Sequence, residues 1–164
     1  CVGSSGPKYL RFDAQILPVI YESFKPKISD GFHVHNQGKK VCIIATGFMM
    51  HTALKVLDEI SKEGVNIGLI DIFNLTNFNT NKLESILSSY SGLISIEEGF
   101  RGRGGLDSML FEFSSRRNLD IQLLNIGVEP GYSFELGTRS ELHEKVGIGI
   151  HSILSQIRLF LNKI

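Results

Sequence analysis

The residues with the most chemical potential lie near the middle of the chain. Glu97 and Glu98 follow the apolar run Ile94-Ser95-Ile96. Paired carboxylates can divide acid and base work between them. Adjacent residues on a strand, however, point to opposite faces. The pair is therefore not one dyad: one carboxylate is expected to cap a neighbouring helix or bind backbone, and the other to face solvent. The next residues are Gly99-Phe100-Arg101-Gly102-Arg103-Gly104-Gly105. Such glycines let backbone approach an anion, and a helix start behind them adds donors. This segment is either an anion cradle or a tight strand-to-helix turn. It is not a dinucleotide fingerprint, because Asp107 takes the third glycine position. No Gly-Lys-Ser/Thr follows, so it is not a P-loop.

Other candidates are isolated. His33 and His35 share one strand face and are either two metal donors short of a third or ordinary strand histidines. Cys42 sits inside an apolar run with no basic neighbour and reads as inert core rather than a nucleophile. His143 stands near Glu141 and Glu144 on a short helix. It is either a general base or, the expected case, a surface histidine. No Gly-x-Ser-x-Gly elbow or catalytic triad can be assembled.

The elements that must position these groups alternate. Residues 8–12 predict a short strand, and residues 13–30, broken by Pro18 and Pro26, an extended linker. Residues 32–35 alternate like an edge strand, and 41–45 are continuously apolar, as in a strand buried on both faces. A helix is predicted over 49–62, closed by Gly64. Further strands are predicted at 66–72, 92–96 and 121–126, with helices at 79–89 and 106–117. Residues 97–105 are a turn and 127–138 a long loop. A short helix over 140–145, a Gly147-Ile148-Gly149 hinge and a last amphipathic helix complete the pattern. Such alternation gives βαβ units with right-handed crossovers. The fold class expected is α/β: a three-layer α/β/α sandwich on a mixed, mostly parallel sheet of about five strands, one of them antiparallel.

Composition limits the partners. Seventeen basic and seventeen acidic residues balance, which argues against nucleic acid or a membrane surface as the main partner. Two cysteines, Cys1 and Cys42, make no disulfide framework and suggest a reducing, cytoplasmic setting. No apolar stretch approaches the ~20 residues of a membrane span. The start at Cys1 reads like a cut from something longer.

Taken in order, these pieces resemble a known family. Gly6-Pro7-Lys8-Tyr9-Leu10-Arg11 resembles the last strand of the pyrimidine-binding domain of transketolases, and Asp13-Ala14-Gln15 the crossing that follows. Val41-Cys42-Ile43-Ile44-Ala45-Thr46-Gly47 is similar to the first parallel strand of the C-terminal domain. Glu97-Glu98 with Gly104-Gly105-Leu106, Gly127-Val128-Glu129-Pro130, and Lys145-Val146-Gly147-Ile148 resemble its later turns and closing stretch. Two positions depart from the family. Ala14 stands where a second basic residue often holds a sugar phosphate, and Gly99-Phe100 where a histidine often follows the glutamates.

The resemblance implies a division into the end of a pyrimidine-binding domain with its linker, 1–30, and a transketolase C-terminal domain, 31–164. It implies a parent enzyme that uses thiamine diphosphate and a divalent metal to move a two-carbon ketol unit between sugars. The Gly-Asp-Gly cofactor motif and the activating glutamate of such enzymes lie in other domains. This piece alone is therefore expected to bind no cofactor, to be inactive, and to serve association and stability. Its partners would be the N-terminal and pyrimidine-binding domains, within a homo-oligomer. Arg11 is the first substrate-binding candidate, as an anchor or as a strand arginine paired with an acid; Arg101 and Arg103 come second. The same domain serves deoxyxylulose-phosphate synthases and 2-oxo-acid dehydrogenase β subunits, and a stand-alone small-anion-binding module is the remaining alternative.

Overall fold

Strands that are apolar along their whole length need cover on both faces, and the chain supplies it. A computed structural model describes residues 3, 5–10, 12–22 and 25–164. Its five strands are β1 (Phe32–Asn36), β2 (Val41–Ala45), β3 (Gly68–Ile72), β4 (Gly92–Phe100) and β5 (Gln122–Val128). They form one sheet in the order β1-β3-β2-β4-β5. β1 is an antiparallel edge on β3; the other pairs are parallel. Helices α1 (Met49–Lys62) and α5 (Ile150–Leu161) cover one face, where Ile43, Leu69, Ile94 and Ile126 meet Ala53, Val56, Ile153 and Ile157. Helices α2 (Thr80–Leu87) and α3 (Leu106–Arg116) cover the other, where Cys42, Ile44, Ile70 and Leu93 meet Leu83, Leu87 and Leu110. A short helix, α4 (Arg139–Lys145), packs against α5. The expected three-layer α/β/α sandwich is therefore observed. No helix among the described residues is long and apolar enough to cross a membrane.

Local chemistry sets the boundaries. Asn79 caps α2 by accepting from the Lys82 N–H at 3.1 Å. Thr138 and Glu141 form a reciprocal capping box at α4. Gly64 follows α1 with φ +80°, a left-handed stop.

Several expectations are corrected. Residues 8–10 and 12 form no strand: Tyr9, Leu10 and Phe12 are exposed and pair with nothing in this sheet. Arg11 lies outside the described residues, as does Cys1. β4 runs four residues beyond Ile96, because β5 also continues, and Phe100 pairs with Val128 across a register shift. The turn after it is accordingly only residues 101–105. The linker is not wholly detached, since Ile20 packs on the α1/α5 face and Ile28–Asp30 make a 3-10 turn.

Candidate functional site

The strand order reverses between β2 and β4. From β2 the chain travels to β3, and from β4 it travels to β5 on the other side. Ligand crevices of open α/β sheets form at this switch point, beyond the carboxyl ends of the strands. Here a cleft of about 720 Å³ is lined by Gly47, Phe48, Glu98, Gly99, Arg139 and the linker residues Phe12, Asp13 and Ala14. Gly47, with φ +57°, turns the chain out of β2 so that Phe48 reaches the crevice.

The two glutamates divide as strand alternation requires. Glu97 is buried and holds the start of α3: its carboxylate oxygens accept the N–H of Leu106 at 3.0 Å and of Asp107 at 2.9 Å. This helix carries no side-chain cap of its own at Gly105, so Glu97 takes that part from across the sheet end. Gly105 permits it, because a Cβ there would lie 2.1 Å from Glu97 Oε2. Glu98 lies on the opposite side and is not simply solvated. It accepts two bonds from Arg139, from Nε at 2.9 Å and Nη2 at 2.6 Å, and a third contact joins it to His143 Nε2 at 2.8 Å. Burial acts to raise the Glu98 carboxyl, but the hydrogen bonds from Arg139 and His143 outweigh it and hold the group below its ordinary range.

Arg139 is the hub. Besides Glu98, it donates from Nη1 to Asp13 at 2.7 Å, and its guanidinium stacks on the Phe48 ring at 3.5 Å from the centroid. These carboxylates hold its pKa above the ordinary value. His143 is a correction to the surface histidine expected there. Only 8% exposed, it meets the edge of Phe48 and is absent from the lining of the cleft. Its sequence neighbours work elsewhere: Glu141 caps α4, and Glu144 accepts from the His151 and Ser152 N–H groups at the start of α5.

The glycine turn is a tight turn, with its donors engaged by its own chain. The Gly102 N–H binds Asp107 Oδ2 at 2.5 Å, and the Gly104 N–H binds Ser108 Oγ at 3.0 Å. Arg101 is ion-paired with Glu129, and Arg103 is exposed. Neither lines the cleft. The structure therefore does not bring Arg101 and Arg103 to Arg139, and Arg11 lies outside the described residues. Cys42 is fully buried and burial pushes its thiol up, which suits inert core. His33 and His35 do share a face, with ring centroids 4.8 Å apart. Among the described residues, however, no group of three His, Cys, Asp or Glu could hold a metal ion. A wider groove of about 1190 Å³ between α1, α4 and α5 is floored by Leu54, Ile150 and Leu154. Its Glu141 and Glu144 are the helix caps already described.

Sequence reasoning places Phe48 at a strand end and Asp13 in the crossing but gives neither a partner, and it passes over Arg139. The capping box could have located Arg139 at the first position of a helix. Its partners stand 41 and 126 residues away, and no local pattern announces them.

Comparison with known proteins identifies the domain. Residues 31–153 match the family described as "Transketolase, C-terminal domain". A 1-deoxy-D-xylulose-5-phosphate synthase of Pseudoalteromonas translucida is 28% identical over 129 residues, 79% of this chain and 20% of that protein. Its counterpart from Shouchella clausii is 30% identical over 117 residues, 71% of this chain and 18% of that protein. The chain thus spans about a fifth of the length of these curated relatives. Among solved structures, a split-gene transketolase, described as an inactive β4 tetramer, superposes with TM-score 0.71 at 26% identity, covering 84% of this chain and 45% of that one. A transketolase from Campylobacter jejuni shares the fold at TM-score 0.60 and 15% identity, over 80% of this chain and 19% of that one. With three-quarters of its length inside the family match, this chain belongs to the transketolase C-terminal domain family.

Proposed function

We propose that this domain serves a thiamine-diphosphate-dependent, transketolase-like transferase by association and stability, and that it performs no chemistry alone. The observation that carries this reading is the self-satisfaction of the polar groups at the sheet's carboxyl end. Glu97 is spent on α3, Glu98 on Arg139 and His143, and the glycine-turn amides on Asp107 and Ser108. A diphosphate–metal group needs converging free donors and carboxylates, and the residues present do not fit it. The cofactor would therefore rest on the N-terminal and pyrimidine-binding domains, in a cytoplasmic homo-oligomer. Residues 1–30 would end the pyrimidine-binding domain and its linker.

Two-carbon ketol transfer between sugars is the reaction favoured by the likeness to the split-gene transketolase. A second reading, deoxyxylulose-phosphate synthesis, is favoured by the identity of the curated relatives. Reconstitution tests both. This chain is mixed with a separate piece carrying the parent's other two domains, and ketol exchange and deoxyxylulose-phosphate formation are followed. Activity is expected only in the mixture, and the product separates the two readings. Tight binding of thiamine diphosphate by this chain alone overturns both. Arg11 is proposed as the substrate anchor, with Arg101 and Arg103 secondary. Arg11→Ala in the reconstituted enzyme should raise KM for the sugar without changing the melting temperature, and unchanged kinetics remove Arg11 from the site.

A further inference from the structure

Over residues 13–22 the linker makes polar contacts with the domain at two separated points. The upper point is Asp13. Its Oδ2 accepts from Arg139 Nη1 at 2.7 Å, while its Oδ1 accepts the Gln15 N–H at 2.9 Å and fixes the local turn. The lower point is Tyr21. Its hydroxyl donates to Asp71 Oδ2 at 2.5 Å, and His35 Nε2 lies 3.3 Å from the Tyr21 hydroxyl oxygen. Its ring also meets His33 edge-on, at 5.7 Å between centroids. Asp71 is only 5% exposed, in mid-strand β3, so this bond reaches into the sheet face beside the edge strand. Ile20 adds apolar contact with the α1/α5 core.

Between these points the chain is mostly exposed, with Leu17 partly buried. Ile16 is 98% exposed and Val19 70%. Two polar anchors with a largely exposed middle are the mark of a strap rather than of a packed layer or a free tether. The strap also has a use, since Phe12, Asp13 and Ala14 form one wall of the switch-point crevice. Without it, that crevice would be an open edge beside Phe48 and Arg139.

We propose that residues 13–21 are a two-point strap, fastened by Arg139 above and by Asp71 below, which closes one side of the switch-point crevice. Arg139 is a clasp as well as a structural arginine: its two bonds to Glu98 and its stack on Phe48 aim the third donor at Asp13. Such pre-organisation lets a partly exposed ion pair hold a loop that an isolated surface pair would not. The strap belongs to this chain and stands independently of which reaction the parent performs.

The test is a pair of distances between spin labels on the full 164-residue chain. Labels go on Ile16→Cys in the strap and Lys55→Cys on α1, with Cys1→Ser to remove a competing thiol; buried Cys42 stays. The parent protein should give one narrow distance distribution. Asp13→Ala removes the upper anchor and leaves Arg139 its Glu98 bonds and its stack, so folding is not at stake. Ile16 then hangs on a five-residue tether from Tyr21 and explores roughly 12 Å. Tyr21→Phe removes the lower hydroxyl and should broaden the distribution independently, and the double variant should broaden it further. A broad distribution in the parent, or an unchanged width in either single variant, overturns the strap.

Discussion

The contact that most directly ties the sheet to the helix behind the glycine turn is the Glu97 clamp, and its removal has a calculable cost. Glu97→Ala strips two buried N–H groups, those of Leu106 and Asp107, of their acceptors. Each orphaned buried donor costs ~1–3 kcal/mol. Loss of a carboxylate beside a helix N-terminus adds ~0.3–1 kcal/mol. The total is about 2–7 kcal/mol, with a middle value of ~4–5, a large share of the ~5–15 kcal/mol that holds a typical domain. At ~2–4 °C per kcal/mol for a chain of this length, the melting temperature should fall by roughly 10 °C. Glu97→Gln keeps one accepting oxygen and turns a donor toward the second N–H, so it should lose about half as much. Gly105→Ala attacks the same clamp from the other side, because its Cβ would sit 2.1 Å from Glu97 Oε2 and 2.8 Å from the carboxyl carbon. Urea denaturation with fitted midpoint and slope measures all three, with Glu112→Ala on the exposed side of α3 as the control. The double variant Glu97→Ala/Gly105→Ala should cost clearly less than the two singles added, since both break one interaction. Strict additivity, or a Glu97→Ala loss within ~0.5 kcal/mol of the control, would refute the clamp.

Two further outcomes follow from burial and charge. The Glu98 carboxyl is depressed below its ordinary value of 4.5, so its contribution to stability is present above that value and is lost as pH falls through the lower folded one. Arg139→Ala should flatten this acid limb in a pH series of melting temperatures, and an unchanged limb would mean that Arg139 is not what holds Glu98 ionised. Cys42 should resist alkylation at pH 8 in the folded chain and react freely in urea, since burial raises its thiol; rapid native labelling of Cys42, read by peptide mass, would contradict its place in the core.

The sheet was legible from sequence because its signals are local. Val41–Ala45 is apolar at every position and is buried at every position, so the run itself declared a central strand. Met49–Lys62 showed its apolar face by spacing alone. Strand ends were less legible. β4 continues through Glu97 and Glu98 because β5 offers it partners as far as Val128, and a partner strand leaves no trace in the polarity of the strand it extends. Residues 8–12 read as a strand, yet among the described residues Tyr9, Leu10 and Phe12 are exposed and join no strand of this sheet, since the pattern reports a capacity to pair and not the presence of a neighbour. The opposite orientation of Glu97 and Glu98 followed from pleat geometry. The partners of Glu98 did not, because charge pairing across 41 residues depends on how α4 is laid over the sheet end. His143 looked like a surface residue among acids for the same reason: its burial is set by Phe48 and Glu98, not by its own helix.

The crevice at the reversal of strand order is therefore of an unusual kind. Its position comes from topology, but its charges are already matched in pairs. An incoming anion that takes over the bonded donors of Arg139 must displace a carboxylate. The two candidates are not equal. Glu98 offers both oxygens to the guanidinium and is braced by His143, whereas Asp13 offers one and is carried on a segment with an exposed middle. Asp13 is the weaker competitor, so an anion on its donor and a fastened strap are opposite states of one arginine. A carboxylate or phosphate that takes the donor now bound to Asp13 does so at the expense of the linker, which makes the linker's position a reporter of that exchange.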